Sequence, residues 1–183
     1  MAEYKITLPL TEEVTKKLRA GDRAYLTGTV YTARDEAHMY LCRMLDNNEK
    51  MPFDFEGAVI YYSGPCPAPP GCPLGPAGPT TSGRMDAFAP QLMDMGIKGM
   101  IGKGKRSKEV RDSIIKNNAV YFGAVGGAAA LLCDCIKEAE VIAFPELGAE
   151  AVHKLRVEDF PVTVIDDCEG GDLYEEGISK YRV

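Results

Sequence analysis

Four places in the 183-residue chain offer side chains or glycine-exposed backbone suited to holding an anion. The richest is Gly64–Arg84, GPCPAPPGCPLGPAGPTTSGR, which holds seven of the twelve prolines and five of the nineteen glycines. It delivers the hydroxyls of Thr80, Thr81 and Ser82, free backbone N–H groups and Arg84 to one spot. That combination suits a carboxylate or a phosphate. Arg34, in Thr32-Ala33-Arg34-Asp35, is a second candidate. Lys103 and Lys105, in Gly102-Lys103-Gly104-Lys105, form the third, and Gly126-Gly127 the fourth. Arginine grips a carboxylate bidentately and lysine acts as a point charge, so two arginines and a lysine suit a dianion.

Each candidate has a plainer reading. Arg34 with Asp35 reads equally as a solvated helix start. Thr80, Thr81 and Ser82, taken alone, read first as caps of the helix from Arg84. The Gly-Lys-Gly-Lys run lacks the G-x4-G-K-[ST] frame of a nucleotide loop, and Gly126-Gly127 is half of a dinucleotide fingerprint that close packing would also explain. His38, one helical turn after Arg34, reads as a residue near the same pocket or at the surface. The Thr hydroxyls serve as base or nucleophile only if their surroundings activate them.

The elements that must position these groups follow from periodicity. Residues 11–19 read as a short helix capped by Thr11, 24–31 as a strand, and 32–48 as a helix with Leu41, Met44 and Leu45 inward. Strands follow at 57–62, 98–101, 119–123, 140–144 and 161–165. Helices are predicted at 84–95, at 107–117 capped by Ser107, and at 126–137. Short apolar strands alternating with helices predict an α/β domain with a largely parallel sheet, and in such sheets the strand-to-helix corners converge on one pocket. One domain over 1–183 is expected, with 166–183 as a polar, acidic, peripheral tail.

Bulk composition narrows the classes. The chain is 45% hydrophobic, 26% charged and carries a net charge of −6. That balance supports a full core and argues against nucleic acid as a partner. No apolar stretch approaches the roughly 20 residues that cross a bilayer, and Met1–Val14 lacks a secretory pattern, so a cytoplasmic location is expected. The six cysteines, at 42, 66, 72, 133, 135 and 168, are expected to be reduced, and their spacing matches no zinc or iron–sulfur pattern. Cys133 and Cys135 read as small core residues. Cys66 and Cys72 read as loop thiols, with pairing or metal binding left open.

The runs Val59–Pro65 and Gly75–Asp86 resemble the beta subunit of class I fumarate hydratase. That family also includes L-tartrate dehydratase beta subunits and the C-terminal half of single-chain class I fumarases. Thr32–His38, Met100–Gly104, Ala124–Ala129, Phe144–Ala151 and Pro161–Val164 continue the likeness in order over nearly the whole chain. The resemblance implies a swivelling β/β/α domain, with a layered sheet core and flanking helices. It implies half of an enzyme, in which a four-iron iron–sulfur cluster is held by cysteines of a separate alpha subunit and binds substrate as a Lewis acid. It implies that Arg34, Arg84 and Lys103 hold a dicarboxylate and that Thr80 is the base at C3; Thr81 is an added substrate-binding candidate. Cys66 and Cys72 lie outside the family motif. The absence of a fused cluster domain ahead of Met1 is read as the two-subunit type, with an exposed apolar face for the alpha subunit. Fumarate hydration, tartrate dehydration and a stand-alone anion-binding module remain the competing functions. An electron-transfer protein using its own cysteines is disfavoured by their spacing.

Overall fold

Apolar runs bounded by glycines and polar turns become strands here, and the amphipathic runs between them become helices. The computed structural model describes residues 1–182; Val183, the end of the expected tail, lies outside the described residues. In chain order the elements are β1 (Glu3–Thr7), α1 (Glu12–Thr15), β2 (Arg23–Thr32), α2 (Asp35–Asp46), β3 (Val59–Tyr61), α3 (Ala89–Asp94), β4 (Gly99–Gly102), α4 (Lys108–Lys116), β5 (Val120–Gly123), α5 (Ala129–Asp134), β6 (Ile136–Ala143), β7 (Val152–Asp166) and α6 (Leu173–Tyr181). Two 3-10 turns, Ser82–Met85 and Pro145–Glu150, are inserted between them.

The fold is α/β, and β1 to β5 pair side by side in parallel. The sheet is less parallel than expected. β7 runs antiparallel to β5 and also antiparallel to β2, so β2, β3, β4, β5 and β7 close into a barrel-like ring, with β6 antiparallel on β7. The strand expected at 161–165 is only the last third of β7. Its first part alternates buried Val152, Leu155 and Val157 with exposed Lys154, Arg156 and Glu158, a half-exposed pattern that a search for apolar runs misses. A bulge opposite Thr27, next to Gly28 (φ 133°), where Asp159 takes φ 47°, breaks that alternation in mid-strand.

Other differences have local causes. The helix expected at 84–95 is a 3-10 turn followed by α3, with Asp86 between them held by a distant partner. β6 takes the end of the helix expected to reach 137. β1, with one buried residue, was too polar to read as a strand. Thr11 and Ser107 do cap α1 and α4, each accepting from the amide three residues on.

Neighbouring residues of the parallel strands face two separate cores. Val59, Tyr61, Ile101 and Phe122 pack inside the ring with Leu26, Leu155 and Phe160. Ile60, Tyr62, Met100 and Tyr121 pack outward against helical residues Leu41, Leu92 and Ile114. Burial on both faces explains why these strands read as continuous apolar runs.

The segment after β7 begins buried. The Asp167 carboxylate accepts the amides of Ala20, Glu169 and Gly171 at 2.8–2.9 Å. Asp172 caps α6 and pairs with Arg111 at 2.6 Å. No helix among the described residues is long and apolar enough to cross a membrane.

Two buried titratable groups respond to pH in opposite directions. His38 is fully buried, and burial holds it neutral down to about pH 4, with Nδ1 donating to the Arg34 carbonyl at 2.7 Å. Asp166 is pushed up to about 7 by burial and by the charge of Asp172. The stability that His38 contributes is present above its ordinary pKa and lost as the pH falls toward 4. That from Asp166 is present below its ordinary value of 3.8 and lost as the pH rises through 7. Asp166→Asn is therefore expected to gain stability relative to wild type as the pH rises from 4 to 8. Urea denaturation across that range checks it, and a difference independent of pH would contradict it.

Candidate functional site

The parallel strands β2, β3, β4 and β5 all end at one rim of the ring, and the four candidate corners follow those ends. Arg34 caps α2 two residues after β2. The long Pro/Gly loop leaves β3 and returns to it: Tyr62 O accepts the Thr80 amide at 2.7 Å. Its fold is held from within and below. Across it the Cys66 amide donates to the Pro76 carbonyl at 3.1 Å and the Gly75 amide to the Cys66 carbonyl at 3.2 Å, and Cys133 on α5 donates to the carbonyls of Leu74 and Gly75 at 3.4 and 3.3 Å. Cys66 and Cys72 are exposed free thiols.

Thr80, Thr81 and Lys103 are brought together by backbone pairing. Thr81 bridges Lys103 in parallel, extending the edge of β4. The Lys103 amide donates to Thr80 O at 3.2 Å, and the Ser82 amide donates to Lys103 O at 2.9 Å. The Lys103 ammonium lies over Gly126, 3.7 Å from where a β-carbon there would sit. Lys103 and Thr81 are exposed and Thr80 is half-buried.

The two arginines meet around one carboxylate. Asp35 lies 3.7 Å from Arg34 Nε and 3.9 Å from Arg84 Nη1, while Glu150 lies 3.2 Å from Arg34 Nη2. Gly64 leaves room for the Arg34 guanidinium, 2.9 Å from where its β-carbon would be. Arg34 Nε, Asp35 Oδ1 and His38 Nε2 are buried without hydrogen-bond partners. Such orphaned groups are rare and mark a place where a polar ligand or water finds partners. Arg84 is more than half exposed, so the rim is open.

Not every candidate joins this rim. Lys105 pairs with Glu175 of α6 at 2.7 Å. Gly126 and Gly127 (φ 88°) form an open turn beside Lys103. Among the described residues no three His, Cys, Asp or Glu side chains converge as metal ligands, so these residues offer no set that fits an iron–sulfur cluster.

Several residues that shape the rim escaped the sequence reading. Asp35 and Glu150 are ion partners of Arg34, and Asp35 also of Arg84. Below them Asp86 pairs with the buried Arg106 at 2.7 Å, and Ser82 Oγ meets Tyr121 OH at 2.8 Å. The Arg-Met-Asp run contains Asp86, but Arg106 sits in a basic run whose composition matches that of a solvated loop.

The glycines of Gly102-Lys103-Gly104 have different roles. A β-carbon on Gly102 would overlap Ser82 Oγ and lie 2.9 Å from the Tyr62 ring. Gly104 faces open space but has φ 86°. Gly102→Ala is expected to lose about 1–3 kcal/mol through overpacking. Gly104→Ala is expected to lose about 1–2 kcal/mol through backbone strain alone. Only the first should alter the near-ultraviolet signal of the buried Tyr62 and Tyr121. Circular dichroism with denaturant titration checks both.

The family profile described as "Fumarase C-terminus" matches residues 2–177. "Fumarate hydratase 2" of Leishmania major is 43% identical over 161 residues, covering 87% of this chain and 28% of that protein. "Fumarate hydratase class I, anaerobic" of Escherichia coli (strain K12) is 41% identical over 160 residues, 86% of this chain and 29% of that protein. The chain thus spans less than a third of these relatives' length. "Putative L(+)-tartrate dehydratase subunit beta" of Methanocaldococcus jannaschii is 40% identical over 181 residues, 91% of this chain and 89% of that protein. With a family match over nearly its full length and relatives at this level of identity, the chain belongs to the fumarase C-terminal family.

Proposed function

We propose that this chain is the beta-type component of a hydro-lyase that hydrates fumarate reversibly to (S)-malate. The observation that carries the reading is the meeting of Thr80, Lys103, Arg84 and Arg34 at one rim in a member of this family. In this reading Arg34, Arg84, Lys103 and the Thr81 hydroxyl hold the two substrate carboxylates. Removing a proton beside a carboxylate builds negative charge, and fixed cations stabilise it. Thr80 takes that proton in the dehydration direction and returns it in hydration. A Thr hydroxyl is a weak acid, so its use as a base depends on those cations.

The cluster belongs, in this proposal, to an alpha subunit that docks over the open rim. A four-iron cluster there supplies the Lewis acid for the substrate hydroxyl. We also propose that residues 1–183 form one domain of the swivelling β/β/α kind, and that the assembly works in the cytoplasm, where the exposed thiols stay reduced.

A second reading is L-tartrate dehydration to oxaloacetate. It is favoured by the tartrate dehydratase beta subunit, a relative of nearly the same length as this chain. The shared carboxylates would be bound alike. A stand-alone dicarboxylate-binding module is the remaining reading.

Two expectations follow. Purified alone, the chain is colourless and inactive, whereas anaerobic capture from its native cells brings iron, a second polypeptide and turnover of fumarate or L-tartrate. A lone, iron-free, inactive chain that still binds a dicarboxylate by calorimetry would favour the binding module. In the assembled enzyme Thr80→Ala is expected to lower kcat at least about 100-fold, the scale of general-base catalysis. Retention of most of the turnover would remove Thr80 as the base.

A further inference from the structure

We propose that Arg106 is a positioning residue that sets the spacing of Thr80, Arg84 and Lys103, an inference that rests on the reading of this rim as a hydro-lyase site. The Thr80–Arg84 segment and the Lys103–Gly104 segment are separate stretches of chain that must keep a fixed distance. The first ends in a 3-10 turn with no side-chain cap, a geometry with little stiffness of its own. The second is an exposed turn closed by Gly104. Two backbone hydrogen bonds join them at the surface. The stronger join lies beneath.

Asp86, two residues after Arg84, accepts Arg106 Nε at 2.7 Å and the Ser107 amide at 2.6 Å. The Arg106 side chain is wholly buried, 0% exposed. Its guanidinium lies over the rings of Tyr62 and Tyr121, 5.3 and 4.9 Å from their centroids, and Nη2 reaches the Tyr62 hydroxyl at 3.4 Å. Tyr121 makes a second crossing: its hydroxyl donates to the Gly104 carbonyl at 2.9 Å and meets Ser82 Oγ at 2.8 Å. Arg106 thus joins the end of the first segment to the start of α4, and its ring partner joins Ser82 to Gly104.

A buried ion pair is rarely the most stable way to fill such a space, because desolvation offsets much of its attraction. What it supplies is a defined geometry. A planar fork held between two rings cannot slide as an apolar contact can, and a lysine ammonium offers no equivalent fork. A shift of about 1 Å in such a site costs on the order of 100-fold in rate.

The test uses the assembled enzyme carrying Arg106→Lys, with Tyr121→Phe as a milder variant that keeps the ring and removes only the hydroxyl. Arg106→Lys is expected to fold and bind its partner, to lower kcat about 100-fold per assembled molecule, and to leave KM within about threefold of wild type, because the exposed cations still capture substrate. Tyr121→Phe should lower kcat about tenfold. Hydrogen exchange at the Ser82 and Lys103 amides should accelerate in both variants. Wild-type kcat in assembled Arg106→Lys would overturn the proposal, as would a loss of activity that only tracks loss of assembled protein. If Arg106→Lys does not fold, Tyr121→Phe decides by the same readouts. If the wild-type assembly turns over neither fumarate nor L-tartrate, the hydro-lyase reading fails on its own, and unchanged exchange at Ser82 and Lys103 would then overturn the positioning role separately.

Discussion

Closure of the ring by β7 is the constraint on which the rest of the structure depends. β7 pairs with β2 along one edge and with β5 along the other. Without it the parallel strands would form an open sheet with β2 and β5 as two free edges. With it, Tyr61, Ile101 and Phe122 acquire an interior against Leu155 and Phe160, while their neighbours Ile60, Met100 and Tyr121 pack beneath the helices. Burial on both faces leaves polar groups few places in the strands themselves. The chemistry-bearing side chains therefore collect at the strand ends, where β2, β3, β4 and β5 open onto one rim.

At that rim the charges are arranged against an unfavourable background. The protein is acidic, with a net charge of −6. The two arginines are tethered by carboxylates of the protein itself, Asp35 and Glu150, at 3.2–3.9 Å. These are loose contacts at a partly solvated surface, where ion pairs contribute little stability. They hold the guanidiniums in place without saturating them, and Arg34 Nε is left without a partner. Arg106 is the opposite case, buried, paired at 2.7 Å and flanked by aromatic rings. Arginine thus stands in two settings: Arg34 and Arg84 in loose contacts at the rim, and Arg106 buried between Asp86 and the rings of Tyr62 and Tyr121.

The chain covers 28–29% of two fumarate hydratases but 89% of a tartrate dehydratase beta subunit. The same unit is therefore matched both within longer chains and in a relative of nearly its own length. An open rim with exposed Lys103 and Arg84 is compatible with either arrangement.

Much of the candidate rim was legible because its placement depends on local chemistry. Thr80, Thr81, Arg84 and Lys103 stand at glycine-marked corners after apolar strands, and a strand end followed by glycine and a cation is a local pattern. Caps such as Thr11 and Ser107 are local in the same way. β1 and the first part of β7 were not legible, since their alternation of charged and apolar residues becomes meaningful only when a partner strand covers one side. Nor were Asp35 as the carboxylate between Arg34 and Arg84, or Arg106 as a buried cation. By itself the sequence determined the α/β alternation, the corners and the chemical type of the groups placed there. Only the tertiary structure decided the closure of the ring, the distances between the corners and which charges are buried, because each of these depends on contacts between residues far apart in the chain.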